Sequence, residues 1–253
     1  METTGPSSRR PNSPPLVDDG PDGERNEALT AYRKGTMTFM GLSIRVAQDV
    51  LVPRPETEFL GKAALKFIDE IAARMPGGEP IRAIDICCGS GNLACGLAAA
   101  CPSLQVWATD LTDACVDLAR LNVNELNLHD RVRVVQGDMF ASLADQGLEG
   151  MTDLVVCNPP YIPSSLLATR TDLRHEPQAA FDGGPYGLSL LMRVVNEAPR
   201  FLRPGGGLFL EVGPREEPHA VSLLSRYRKY ELIDVIRDSA GVIWGVKGHL
   251  VTN

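Results

Sequence analysis

The chain has 253 residues, of which 43% are hydrophobic; this suits one domain with a full core and a small appendage. A net charge of −7 argues against wrapping a long stretch of nucleic acid, which needs a basic face to neutralise phosphates. No run reaches the roughly 18 apolar residues of a membrane span and the amino terminus has no apolar signal core, so the expected protein is cytoplasmic, with neither membrane nor nucleic acid as partner.

Residues 1–25 are rich in Pro, Gly, Ser and charge, as in Ser13-Pro14-Pro15 and Asp18-Asp19-Gly20-Pro21-Asp22-Gly23. Such a segment buries too little surface to order itself, and disorder is expected. Residues 26–56 form the appendage. A short helix is expected over residues 27–34, and residues 38–46 alternate around Gly41 like a small hairpin. The loop Val50-Leu51-Val52-Pro53-Arg54-Pro55-Glu56 is stiffened by its two prolines and leads into the main domain, residues 57–253. There Glu58 favours the positive end of a helix whose buried face carries Phe59, Leu60, Ala63, Ala64 and Phe67.

From Arg82 onward short apolar runs alternate with helical patterns, as in a parallel sheet covered on both faces. Strands are expected at residues 83–87, 105–110, 132–136, 153–157, 207–212, 232–236 and 241–246, and helices at 91–100, 113–126, 188–201 and 216–228. The last two strands are separated by Asp238-Ser239-Ala240-Gly241, which suggests a hairpin. The six cysteines show no paired C-x-x-C spacing and read as buried thiols, and the four histidines are scattered, so no metal site is expected.

The strand ends carry the chemistry. The first runs into Asp85-Ile86-Cys87-Cys88-Gly89-Ser90-Gly91-Asn92, a glycine turn that lets the main chain approach a ligand closely. Asp110 closes the second strand, where a carboxylate can accept both ribose hydroxyls of a nucleoside, and Gly137-Asp138 follows the third, where a carboxylate can accept from an adenine amine. Each acid is also a common helix cap or turn residue. After the fourth strand stands Asn158-Pro159-Pro160-Tyr161. The prolines stop the strand and leave the Asn amide at its carboxyl end, where its oxygen and nearby carbonyls can accept from an NH2 group while Tyr161 offers a flat face. A nicotinamide dehydrogenase would share the first strand and the ribose acid, yet it explains neither the Asn158–Tyr161 element nor the terminal hairpin.

With these motifs the chain resembles the HemK family, which methylates a glutamine side-chain amide in peptide chain release factors. The resemblance runs from about Phe39 to Gly248, and its markers are residues 50–58 (similar to the family's V-L-I-P-R-P-E-T-E), 85–91 (D-L-G-T-G-S-G), Ala108-Thr109-Asp110, Gly137-Asp138, Asn158–Tyr161, Glu176-Pro177 through Ala180, Gly183-Gly184 and Glu211-Val212-Gly213. The resemblance implies a Rossmann-like, seven-stranded class I methyltransferase fold, α/β and mostly parallel with a C-terminal antiparallel hairpin, and S-adenosyl-L-methionine as cofactor. It implies that Asp85, Cys87, Cys88, Gly89, Ser90 and Gly91 surround the methionine end and that Asp110 holds the ribose. Asp138 and Met139 would border the adenine, with Asn158, Pro159, Pro160 and Tyr161 holding the accepting amide. An amide nitrogen is a poor nucleophile, so catalysis rests on positioning and on carbonyl acceptors that stabilise positive charge growing on nitrogen, without a strong base.

Arg54, with Pro55 at the mouth, either contacts substrate or pairs with Glu56 or Glu58. Family members carry an amino-terminal helical domain that contacts the release factor, whereas only about 35 mostly polar residues precede the hairpin here. The family's Asp-Gly-Leu becomes Pro185-Tyr186-Gly187-Leu188, and its Glu-x-Gly-x-x-Gln becomes Glu211-Val212-Gly213-Pro214-Arg215. Cys87 replaces a family glycine, which requires a negative φ at that residue. These departures leave the acceptor open between a release factor glutamine and a nitrogen of a small metabolite or peptide, with Tyr186 and Arg215 reshaping the pocket. A DNA adenine methyltransferase and a non-catalytic cofactor-binding protein are the remaining readings.

Overall fold

The structure, a computed structural model, describes residues 21–74, 79–213 and 215–252. Most of the segment expected to be disordered, residues 1–20, lies outside the described residues. The first helix, α1 (Pro21–Lys34), takes in residues 21–25 of that segment and begins earlier than the expected residue 27. The hairpin follows as β1 (Thr36–Phe39) and β2 (Leu42–Arg45), turned by Met40 and Gly41.

The main domain then alternates: α2 (Thr57–Ala72), β3 (Ile81–Ile86), α3 (Asn92–Ala100), β4 (Leu104–Asp110), α4 (Asp113–Glu125), β5 (Val132–Gln136) and β6 (Thr152–Cys157). After the one-turn α5 (Ser164–Leu167) come α6 (Ser189–Glu197), β7 (Leu202–Glu211), α7 (Glu217–Tyr227), β8 (Tyr230–Arg237) and β9 (Ile243–Leu250). Seven strands form one sheet in the order β5-β4-β3-β6-β7-β9-β8. All pairings are parallel except those of β9, which runs antiparallel to both β7 and β8, so the expected terminal hairpin is present.

Both faces of the sheet are buried, which is why β6 reads as the unbroken apolar run Leu154-Val155-Val156-Cys157. On one face Leu60, Ala64 and Phe67 of α2 pack with Leu93 and Leu97 of α3. On the other, Leu191, Val194 and Val195 of α6 pack with Ala220 and Leu224 of α7. The winding reverses between β3 and β6, so the carboxyl ends of these two strands open a crevice where ligands bind in such sheets.

Two strands differ from their expected limits for local reasons. The start of β7, Leu202-Arg203-Pro204-Gly205-Gly206, looks like a turn because Pro and Gly weaken a strand pattern, yet it pairs with β6 through Leu202 and Thr152. Gly248 likewise hides the second half of β9, beyond the expected limit of residue 246, and a Cβ on Gly245 would sit 2.7 Å from the Leu210 carbonyl, so the close strand spacing there demands glycine.

The hairpin is bolted to the main domain. Arg45 N–H donates to Asn122 Oδ1 at 2.7 Å, while Asn122 Nδ2 donates to the carbonyls of Arg45 (3.1 Å) and Ser90 (2.9 Å). One buried amide therefore ties the hairpin, α4 and the glycine turn together. The Met40 sulfur occupies a notch between the two helices: a Cβ on Gly61 of α2 would lie 2.6 Å from it, and one on Gly96 of α3 would lie 2.7 Å away. Among the described residues no helix is long and apolar enough to cross a membrane.

Candidate active site

The first three parallel strand ends form a nucleoside-sized crevice. At the end of β3, Asp85 is buried and its Oδ2 accepts from Ala94 N–H at 3.1 Å, while its Oδ1 has no partner. Burial pushes this carboxyl up to about 8; the Ala94 N–H opposes that shift and the charge of Asp110 adds to it. The turn that follows is held by Cys88 N–H to the Thr109 carbonyl (3.0 Å) and Gly91 N–H to the Cys88 carbonyl (2.8 Å). Cys87 adopts φ +59°, against the negative φ expected of it. The turn keeps the left-handed geometry that suits the family's glycine, at a cost of about 1–2 kcal/mol for a side-chain-bearing residue. Gly91 is also left-handed, at φ +75°, and a Cβ there would press on that of Ala119 at 3.1 Å.

Asp110, at the end of β4, accepts from Gly89 N–H at 2.9 Å and from Thr112 N–H at 3.3 Å. Its carboxylate thus braces the glycine turn while lining a cavity of about 190 Å³ that Cys87, Gly89, Met139 and Asn158 also face. Asp138 lines this cavity too, but its carboxylate is held by Arg193 of α6 through two bonds of 2.9 and 3.1 Å. Arg193 escaped sequence reasoning because it lies 55 residues away on another element.

A small adjoining cavity, about 40 Å³, is lined by Asp85, Cys88, Ser90 and again Asn158. A third, of about 550 Å³, lies beyond Asn158 and is bounded by Pro159, Tyr161, Glu211, Arg215 and Trp244, among others. Asn158 lines all three, as does Leu51 of the proline loop. The strand register explains this: Cys157 stands opposite Ile86 on one side and Leu210 on the other, so the next residue emerges between the β3 turn and Glu211. Asn158 Nδ2 donates to Thr57 Oγ1 at 3.3 Å.

Tyr161 is pinned from behind. Ile162 N–H donates to the Phe181 carbonyl (2.8 Å) and Gly183 N–H to the Ile162 carbonyl (2.9 Å). A Cβ on Gly183 would come within 2.8 Å of Tyr161 Cα, and one on Gly187, at φ +71°, within 2.2 Å of the Tyr161 carbonyl oxygen. The glycines of this loop therefore let it lie flat against the Asn158–Tyr161 element.

The expected substrate contacts divide. Arg215 lines the large cavity. Arg54 lines it as well but pairs with the buried Glu176, rather than with Glu58, which bonds Lys62 at 2.9 Å and Met40 N–H at 2.8 Å. Glu176 also accepts from Val52 N–H at 3.2 Å, so it clamps the proline loop from both sides of Pro53. Pro55 is exposed and faces none of the three cavities. Tyr186 is 83% exposed and also faces none of them, because Gly184 and Gly187, both at positive φ, turn the loop tip outward.

The donor set fits S-adenosylmethionine. The unpartnered Asp85 Oδ1 suits a cationic amino-acid end, Asp110 suits ribose hydroxyls, and Thr109, whose buried Oγ1 is unpartnered, lines the same crevice.

Residues 67–176 match the methyltransferase small domain. The chain is 38% identical over 213 residues to a release factor glutamine methyltransferase of Gloeobacter violaceus, spanning 83% of this chain and 71% of that one. It is 36% identical over 221 residues to the MTRF1L release factor glutamine methyltransferase of Homo sapiens, spanning 83% of this chain and 64% of that one. The crystal structure of a methyltransferase from Pyrococcus furiosus shares the fold, with a TM-score of 0.61 at 19% identity over 90% of this chain and 98% of that one. Identity at this level across most of the chain, on a class I sheet with an Asn-Pro-Pro-Tyr strand end, makes the protein a member of the HemK family of S-adenosylmethionine-dependent N-methyltransferases.

Proposed function

We propose that the protein methylates the side-chain amide of a glutamine in a peptide chain release factor. The observation that carries this reading is Asn158, the polar one of the two residues, with Leu51, that line the nucleoside crevice, the amino-acid pocket and the large open cavity alike. An acceptor entering the large cavity meets at Asn158 the crevice that suits the cofactor, which brings the two reactants to one residue.

The bound cofactor supplies a methyl group on a positively charged sulfur. The chain's own residues do the rest. Asp110 and the turn at 87–91 hold the nucleoside and amino-acid ends, and the Thr57 hydroxyl fixes the Asn158 amide. The Asn158 oxygen and the neighbouring main-chain carbonyls accept N–H bonds that strengthen as the nitrogen becomes positive. Tyr161 stacks on the planar amide, and the Glu176 clamp on Val52 and Arg54 shapes the cavity rim.

The test is transfer of labelled methyl from S-adenosylmethionine to a release factor, a metabolite pool and DNA in parallel reactions. Label on a release factor glutamine is the expected result. Label appearing only in a metabolite or in DNA overturns the acceptor assignment.

A further inference from the structure

Glu211 is a buried carboxyl that lines the large cavity, and holding the cofactor and the acceptor leaves it without a task. It ends β7 beside Asn158, because Cys157 and Leu210 are register partners and each chain takes one more step. It is 3% exposed, lines the cavity, and its Oε2 has no hydrogen-bond partner. A cation would be the ordinary way to stabilise a carboxyl at such depth, yet Arg54, whose charge reaches it, also pairs with Glu176. The groups facing Glu211 include Arg54 and Glu56 just before α2, Thr57 at its start, Cys157 of β6, Asn158 and Tyr161 after β6, and Glu216 before α7, while β9 brings Trp244 and Gly245.

We infer that Glu211 is a catalytic residue that accepts the proton the amide nitrogen sheds once it is methylated. The inference rests on the amide acceptor proposed above. When the nitrogen's electron pair forms the N–C bond, the C–S bond breaks with its electrons kept by sulfur, and the nitrogen is left cationic with both hydrogens. One N–H bond must then break. Its electrons return to nitrogen and restore the neutral amide, while the proton passes to the Glu211 carboxylate and from there to solvent through the open cavity. Asn158 would hold one N–H of the acceptor, and Glu211, one strand away in the same cavity wall, would take the other.

The chain Asn158 Nδ2 to Thr57 Oγ1, with the Thr57 hydroxyl drawing down the Glu211 carboxyl, keeps the two acceptors in one hydrogen-bonded unit. Burial nevertheless dominates and pushes Glu211 up to about 8, where a carboxylate both takes and releases a proton readily near neutral pH.

Two measurements decide the matter. Infrared difference spectra between pH 5 and 10 should show a carboxyl band, absent from Glu211→Gln, that titrates near pH 8. On a glutamine-bearing release factor peptide, Glu211→Gln should lower kcat by about 100-fold with KM within threefold, and should flatten a wild-type profile that rises with pH and levels at or below about 8. Glu211→Asp should keep the rising limb at reduced rate. A Glu211→Gln enzyme with wild-type kcat overturns the inference, as does a Glu211 carboxyl that titrates in the ordinary carboxylate range. A wild-type enzyme that binds S-adenosylmethionine but leaves the peptide unmethylated counts against the acceptor assignment, and the infrared titration still decides the proton acceptor.

Discussion

At the residue scale, Asn158 and Asp110 should fail in opposite ways. Asn158 borders the acceptor, and its bond to the reacting nitrogen strengthens in the transition state, so Asn158→Ala should reduce turnover by about two to three decades. The cofactor dissociation constant should move less than about tenfold, and a variant with wild-type turnover would rule out the planar-nitrogen mechanism. Asp110→Ala should instead weaken S-adenosylmethionine binding in calorimetric titration by about one to two decades, the value of a charge-assisted bond. Because Asp110 also braces Gly89, part of that loss should appear as a loosened glycine turn. Both residues were legible in the sequence, since each directly follows or closes an apolar run and strand ends announce themselves. The sign of φ at Cys87 was not legible, because a residue pattern records which side chain is present and says little about the backbone a neighbouring fold imposes. Glu176 was legible only as a family marker; its partner Arg54 is 122 residues away, and no local periodicity links two such positions.

At the element scale, the segment from Tyr161 to Gly187 behaves as a strap behind the catalytic tetrapeptide. Gly187→Ala meets a left-handed backbone and a carbonyl oxygen at 2.2 Å, so the strap must lift and carry Tyr161 with it. We expect a Tm drop of several degrees together with a rise in KM for the acceptor. Unchanged values for both would show that the strap adapts without disturbing Tyr161. Glu176→Ala should be harsher, since it takes one carboxylate from both Arg54 and Val52 N–H at once; loss of one partner of a buried pair costs up to about 3–5 kcal/mol. Glu176→Gln keeps the acceptor for Val52 and should recover part of the loss in a urea melt. The strand limits missed in the sequence, in β7 and β9, lie where glycine and proline serve close strand packing and therefore mimic turns.

At the scale of the whole molecule, two carboxyls buried at the sheet's functional edge set a pH dependence of stability. Asp85 and Glu211 are both pushed up to about 8, whereas in the unfolded chain each ionises near 4. Between those values the folded protein keeps protons that the unfolded chain has released, so their contribution falls as pH rises from about 4 to about 8 and is constant above. Glu58 and Asp238 shift downward and act in the opposite sense, below the ordinary carboxylate range. The Tm should therefore decline between pH 6 and 8.5, and Glu211→Gln should shrink that decline; an equal decline in the variant would place the burden on Asp85 alone. The fold itself was legible because parallel strands buried on both faces must be apolar along their length. What the sequence concealed was how firmly the small hairpin is joined to that sheet, since the join is made by one side-chain amide and a thioether across long separations.

That join changes how residues 26–56 should be regarded. With the Met40 sulfur filling a notch that two glycines leave between α2 and α3, and Asn122 gripping the main chain of Arg45 on both sides, the hairpin is held by contacts that outlast the peptide bond leading away from it. The exposed stretch Ala47-Gln48-Asp49 is the natural place for a protease to cut. A nick there should yield two bands on a denaturing gel and a single peak on gel filtration, with S-adenosylmethionine still bound; a hairpin fragment that elutes separately would mean that the chain connection, and not the keyed methionine, holds it in place.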